Sequence, residues 1–300
     1  MAKARKILRR KKAVKNIRAV TKTMEMVSTA RFKKMYNRAV AARPYTERLC
    51  DLVGDLIACS GPEGLRHPLL TPPPGPKCDV LLVLTGNRGL CGSYNHAVLR
   101  MATERMSQVT PEGYKVCLHV VGKKGIQFFR HAGHRIEKEY TQLETKSGGV
   151  GPDYDLVSAL SNELMSEFLA GKISGLEVAY TQLISAGRYA PVIAQVLPLT
   201  QLAGTPKAMP TTGAPAPFDL IPSAKEILDR LLPTTVRLQM YQCFLDAAVT
   251  EQIARMSAMR AATEAADEMI HNLTVLYNRL RQSQITTELA EIIGGRAGIE

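Results

Sequence analysis

Along the first forty residues the apolar positions Ile17, Val20, Met24 and Val27 recur in steps of three, four and three. A heptad stripe of this kind is what a helix shows when it lies along another helix. No Gly or Pro falls between Lys3 and Arg43, so the spacing predicts a single helix over that range, which Pro44 would interrupt or kink. Apolar residues resume at Leu49, Leu52, Val53, Leu56 and Ile57 and stop at Ser60-Gly61-Pro62. From Arg66 to Lys77 the prolines at 68, 72, 73, 74 and 76 predict a loop. At the other end, Leu238 to Ile293 is again free of Gly and Pro. There Met259, Ala262, Ala266, Met269, Leu273, Leu276 and Leu280 keep the alternating three–four step, and the small residues Ser283, Thr287 and Ala290 continue it. Ser223, with Glu226 three residues on, predicts the start of this helix as a capping box, and Pro233 predicts a kink inside it.

Between the two helical ends the period changes. Val80 to Leu84 is a continuous apolar run, as expected of a strand buried on both faces. Helical spacing follows through Val98, Leu99, Met101 and Ala102. A second strand is predicted over Val116–Val121, a helix around Ile126–Arg130, and another helix over Tyr154–Leu169. Leu176–Ile184 and Val192–Leu197 read as two more strands, and Gly204 to Pro217 as a Pro- and Thr-rich linker. The alternation predicts an α/β fold with a mainly parallel, Rossmann-like sheet. Neither terminal helix can bury its stripe alone, so the prediction is a long antiparallel coiled coil of the two ends with the α/β domain inserted between them. The boundaries expected are 1–60 for the first coiled-coil helix, 75–200 for the globular α/β domain and 220–300 for the returning helix.

Charge sharpens this picture. The chain has 39 Lys and Arg against 27 Asp and Glu, a net +12, and residues 1–48 alone carry 16 basic side chains against Glu25 and Glu47. The rest is close to neutral, with 23 basic and 25 acidic residues, so the excess belongs to one helix and its partner should be acidic. No run approaches the roughly 18 apolar residues of a membrane span. The basic start leads into further charges, not into the apolar core of a secretory signal, and leaves no separate segment for a presequence. Six cysteines without a C-x-x-C pair, in a chain without an export signal, are expected to be reduced and mostly buried. His131 and His134 are expected at the surface near a turn, with no metal set around them.

The densest local signal is Thr85-Gly86-Asn87-Arg88-Gly89-Leu90-Cys91-Gly92-Ser93-Tyr94-Asn95, directly after the first strand. Its glycines are spaced G-x-x-G-x-x-G, which matches neither the dinucleotide loop nor the phosphate loop. A tight exposed turn used for contact or bending fits better. No catalytic motif is visible, Trp is absent, and aromatic residues make up 5%, a poor supply for base stacking. Two readings compete with a partner-docking coil. A basic coiled coil that binds nucleic acid would lose affinity steeply with salt, and a Rossmann-like enzyme would bind a dinucleotide tightly through its central domain. Neither explains matched heptads at both termini.

Several blocks resemble a known family. Val20-Thr21-Lys22-Thr23-Met24-Glu25-Met26-Val27 is similar to the N-terminal signature of F-type ATP synthase γ subunits, and so is Arg43-Pro44-Tyr45. Thr85 to Asn95 resembles the family's Arg-Gly-Leu-Cys-Gly loop, and Val121-Gly122-Lys123-Lys124-Gly125 its next strand end. Glu251 to Met259 and Tyr277 to Glu288, closing on Gly294-Gly295, resemble the family's long C-terminal helix. The resemblance runs in order over essentially the whole chain. It implies a non-catalytic rotary central stalk, with the coiled coil inside three α and three β subunits and the globular part resting with ε on the ring of c subunits. Such a stalk couples proton flow to ATP synthesis or hydrolysis on β and regulates both. It also implies a peripheral place on the cytoplasmic face of a bacterial inner membrane, no cofactor, no metal and no nucleic acid. Contacts to the α/β ring would be carried by Lys22, Met24, Cys91, Arg281, Gln282 and Thr286, with Cys91 on the outer surface of the shaft. Thr200 to Pro217 has no Cys, so the redox insertion of chloroplast relatives is not expected and the chain is read as bacterial in type.

Overall fold

The computed structural model describes residues 2–59, 67–71, 73, 78–109, 115–141, 151–185, 187–199 and 223–297. The predicted linker at 204–217, half of the proline loop at 66–77 and the Ser60-Gly61-Pro62 stop lie outside them. In chain order the elements are α1 (Ala2–Cys59), β1 (Cys78–Leu84), α2 (Tyr94–Val109), β2 (Lys115–Val121) and α3 (Lys123–His131). They are followed by β3 (Lys138–Tyr140), α4 (Tyr154–Leu169), β4 (Gly175–Ser185), β5 (Arg188–Leu197) and α5 (Ala224–Ala297). No helix among the described residues is long and apolar enough to cross a membrane.

The chain divides into two compact units, residues 30–254 and residues 1–29 with 255–300. The same two helices, α1 and α5, contribute to both. The larger unit is built on a sheet of order β3-β2-β1-β4-β5, in which β3, β2, β1 and β4 run parallel and β5 returns antiparallel along β4. β1 is central, which is why its sequence is apolar throughout. Leu81 and Val83 pack on one face with Val98 and Ala102 of α2 and Ile126 and Phe129 of α3. Val80, Leu82 and Leu84 pack on the other with Leu160 and Leu164 of α4, Val53 and Ile57 of α1, and Leu232 and Met240 of α5. A smaller cluster joins Met35 and Ala39 of α1 to Leu183 of β4 and Leu245, Val249 and Ile253 of α5.

Caps follow the sequence. Asp153 accepts from the Asp155 N–H at 3.0 Å to start α4, and Ser223 accepts from the Glu226 N–H at 3.3 Å to start α5. Neither proline ends its helix. Pro44 lies inside α1 and Pro233 inside α5. A proline removes one backbone donor, but Ala39, Leu49, Val53 and Ile57 on either side of Pro44 are all buried, and that packing outweighs one missing bond. One expectation fails at the cysteines. Cys78 and Cys117, at the entry ends of neighbouring strands β1 and β2, are joined by a disulfide, their Cα atoms 6.5 Å apart. Cys50, Cys91 and Cys243 remain thiols.

In the smaller unit α1 and α5 run antiparallel. Val14 is buried with Ala266 and Leu273, flanked by Ile7 and Ile270. Arg18 pairs with Asp267, and the Thr263 hydroxyl donates to Thr21 at 2.8 Å. The buried α1 positions here are Val14, Thr21 and Ser28, one heptad apart.

Candidate functional site

The glycine loop between β1 and α2 is fastened from below. The Thr85 N–H donates to Val121 O at 2.9 Å and its hydroxyl donates to the same oxygen at 2.7 Å. The first amides of α3 then meet acceptors from the loop. Lys123 N–H reaches Asn87 Oδ1 at 3.2 Å, Lys124 N–H reaches Gly86 O at 3.2 Å, and Gly125 N–H reaches Thr85 Oγ1 at 3.0 Å. The donors of a helix N-terminus are what a Rossmann-like fold offers to phosphate. Here they are taken by the protein itself, which argues against a dinucleotide cradle at this end of the sheet. Gly122, the residue before α3, has φ +96°, and a Cβ there would sit 2.1 Å from Thr85 O.

The far side of the loop is tied to α5. Tyr94 donates its hydroxyl to Ala247 O at 3.0 Å, and Gly86 lies flat against the Glu251 carboxylate, with room for no side chain of its own unless Glu251 moves. Cys91 packs beside Tyr94 and Ala254 and is only 2% exposed, and Asn95 Nδ2 donates to its sulfur at 3.1 Å. The expectation that the loop presents Cys91 on an outer surface is therefore wrong. The backbone turns at Leu90, whose φ is +61°, so that Leu90 points outward at 63% exposure while the thiol turns inward. Leu90 was overlooked in the sequence; the signal was an apolar residue between two glycine-adjacent turns with no strand or helix to bury it.

On α1 the seam lies one residue away from the predicted stripe. The side chains turned toward α5 are Val14, Thr21 and Ser28, while Ile17 and Val20 are 55% and 59% exposed and Val27 is also exposed. One residue is about 100° of helix rotation, so an exposed apolar stripe lies on the flank of the pairing. On α5 three of the seven predicted apolar seam positions hold: Met259, Ala266 and Leu273 are buried, whereas Met269 and Leu276 are exposed, Ala262 and Leu280 are half-buried, and Thr263 is buried between Met259 and Ala266. Met24 is half-buried beside the seam and Lys22 is exposed, pairing with Glu25 at 3.0 Å. Arg281, Gln282 and Thr286 are exposed on α5, with the Thr286 hydroxyl turned back to Gln282 O at 3.0 Å. Thr21 faces Thr263, 18 residues before Arg281, a separation of about 27 Å along the helix. Lys22 and Met24 on the one hand and Arg281, Gln282 and Thr286 on the other thus form two stations on the coil and not one site.

Known proteins place this arrangement. A sequence model of the ATP synthase family matches residues 3–299. The ATP synthase gamma chain of Rhodopirellula baltica is 41% identical over 303 residues, covering 100% of both chains. That of Gemmatimonas aurantiaca is 36% identical, again over 100% of both. Among solved structures, a chain of the OSCP/F1/c-ring assembly of Euglena gracilis mitochondrial ATP synthase shares the fold at TM-score 0.64 and 15% identity, over 99% of this chain and 95% of that one. A chain of the Tetrahymena thermophila central stalk and c-ring shares it at TM-score 0.54 and 16% identity, over 81% and 99%. Full-length relatives at this identity, a family match from end to end and a shared fold agree: the chain belongs to the ATP synthase family, among its gamma chains.

Proposed function

We propose that this central-stalk subunit works as a turning shaft, its paired helices standing inside a ring of three α and three β subunits and biasing each β in turn. It carries no catalytic residues of its own. The α/β unit rests with ε on the ring of c subunits, peripheral to the cytoplasmic face of a bacterial plasma membrane, and delivers rotation driven by proton flow. The observation that carries this reading is the stripe Ile17, Val20 and Val27, left exposed on a strongly basic helix after the seam with α5 has been satisfied. Exposed apolar surface in a row calls for a partner, and the surrounding Lys and Arg suit an acidic one through attraction that needs no fixed geometry. Lys22 and Met24 would meet the ring at that station, Arg281, Gln282 and Thr286 at the second. In the glycine loop the contact belongs to Leu90, with Cys91 beneath it as support.

A covalent tether tests the turning. Leu90→Cys, linked by oxidation to a cysteine placed on the facing β segment, should stop multi-site ATP turnover in the assembled complex and release it on reduction. The bond holds the two Cα atoms within about 7 Å, a distance that a rotating loop cannot keep. Full ATPase activity in a quantitatively linked complex would refute the rotary reading.

A further inference from the structure

We propose that Arg43 and Asp246 are positioning residues that grip one residue of the sheet, Leu183, by its backbone between the two long helices, and that this grip passes rotation from sheet to helices without slip. The proposal rests on the rotary reading above. All three residues lie in the larger unit.

Asp246, on α5, keeps only 3% of its side chain exposed, and three donors converge on its carboxylate. Gln242 Nε2 lies at 2.8 Å, the Leu183 N–H at 3.4 Å, and an Arg43 guanidinium nitrogen from α1 at 3.3 Å. The same arginine nitrogen donates to Leu183 O at 2.7 Å. α5 therefore holds the amide side of Leu183 and α1 holds its carbonyl side. Apart from this polar grip, the Leu183 side chain is packed in an apolar cluster with Met35 and Ala39 of α1 and Leu245, Val249 and Ile253 of α5. Leu183 faces Tyr189 of β5, and the strand register shifts immediately beyond it, so this end of β4 is held by the helices more than by a regular ladder. Two residues earlier, the Thr250 hydroxyl reaches Thr181 O at 3.2 Å, a second polar tie from α5 to β4.

Apolar packing alone would keep the helices on the sheet, but burial is non-directional and resists separation more than sliding or rotation about a helix axis. Charge-assisted hydrogen bonds have direction and resist both. Burial pushes the Asp246 carboxyl above its ordinary range, and Arg43, Gln242 and the Leu183 amide work against that rise. Withdrawing Arg43 leaves the buried carboxylate without its counter-charge, so the grip opposes relative movement of the three elements.

The test uses the complete complex in inverted membrane vesicles, recording ATP hydrolysis, protons pumped per ATP, and the melting temperature of the isolated chain. Asp246→Asn keeps the shape of the side chain and abolishes the charge. Arg43→Lys keeps the charge and loses the planar guanidinium whose one terminal nitrogen donates to both Leu183 O and Asp246. Val249→Ala weakens the same cluster without touching the polar grip. Both clamp variants should assemble and hydrolyse ATP, yet pump at least threefold fewer protons per ATP, while Val249→Ala lowers the melting temperature and leaves pumping per ATP unchanged. If Asp246→Asn fails to assemble, Arg43→Lys decides alone. Wild-type pumping per ATP in the clamp variants, or a loss that Val249→Ala shares at equal melting temperature, would overturn the proposal. Failure of the wild-type chain itself to restore pumping would instead count against the rotary reading.

Discussion

Gly122→Ala concentrates the strain of the glycine loop into one methyl group. The new Cβ would lie 2.1 Å from Thr85 O, 2.7 Å from Thr85 C and 2.8 Å from Thr85 Oγ1, with φ at +96°. Two costs add. The backbone conformation is one that L-residues avoid, at about 1–3 kcal/mol. The contact cannot be relieved by a rotamer, because the first atoms met are backbone, so the Thr85–Asn87 segment must withdraw. Withdrawal breaks the bonds from Lys123, Lys124 and Gly125 to the loop. At about 1 kcal/mol each, these raise the total to roughly 4–6 kcal/mol, a large share of an ordinary domain's stability. Gly133 supplies the reference. It too has positive φ, +75°, but nothing lies within 4 Å of its would-be Cβ, so Gly133→Ala should cost only the conformational part, about 1 kcal/mol. Urea unfolding of both variants, followed by circular dichroism, gives the comparison. Equal losses, or a Gly122→Ala midpoint within about 0.5 kcal/mol of wild type, would show that the loop is not pinned to α3 as described.

Two further outcomes are expected. His119 is buried in β2 with its Nδ1 unpartnered, and burial, aided by Lys138 on β3, lowers its pKa, while Glu163 and Glu167 on α4 and Glu137 oppose the shift. Because the unfolded chain takes up this proton first as pH falls below about 6.5, stability should drop there by at most about 1.4 kcal/mol per pH unit from this group. His119→Gln should flatten the urea midpoint between pH 7.5 and 5.5, and identical slopes in the two proteins would refute the assignment. Met24→Asp, at a half-buried position off the seam, should change the isolated chain's stability by less than about 1 kcal/mol. It should lower protons pumped per ATP more than hydrolysis, and unchanged pumping would remove Met24 from the contact.

What could be read in the sequence is what is locally determined. α4 has the bounds expected from the sequence, Tyr154–Leu169, because local signals set it off, and the structure adds Asp153 as its cap. β1 was plain because both of its faces are covered. β3 was missed: Lys138-Glu139-Tyr140 is three residues long, and its lysine bonds to Glu163 and Glu167 at 2.8 and 2.7 Å instead of joining a core. The α1 stripe was misread for a related reason. Apolar residues mark a seam only when the seam is apolar, and here Thr21 and Ser28 occupy it while Ile17 and Val20 face outward. Cys91 lies inside, against expectation, and Leu90 outside, because their orientation depends on one φ angle that nothing in the pattern announces. Arg43 and Asp246 meet across 203 residues of chain, beyond any local signal.

The seam of hydroxyls has a consequence for how the helix pair holds its register. Over the stretch from Val14 to Ser28 the buried side chains of α1 offer little apolar area, so register cannot be set by hydrophobic fit alone. It is set by directional contacts, Thr263 to Thr21 and Arg18 to Asp267. Each hydroxyl also has a second acceptor in its own helix, Arg18 O at 3.0 Å for Thr21 and Met259 O at 2.8 Å for Thr263. A hydroxyl carries one proton, so when the cross-helix bond breaks, each donor still finds a carbonyl and no buried group is orphaned. Breaking it costs about one ordinary hydrogen bond, near 1 kcal/mol, and not the larger penalty of an unsatisfied polar atom. Asp246, by contrast, loses its counter-charge once Arg43 is withdrawn and keeps only the neutral donors Gln242 and the Leu183 N–H. The chain thus combines a seam that can loosen and re-form in one unit with a grip that cannot loosen in the other, and a stalk that must turn against a ring while staying locked to its own sheet needs both.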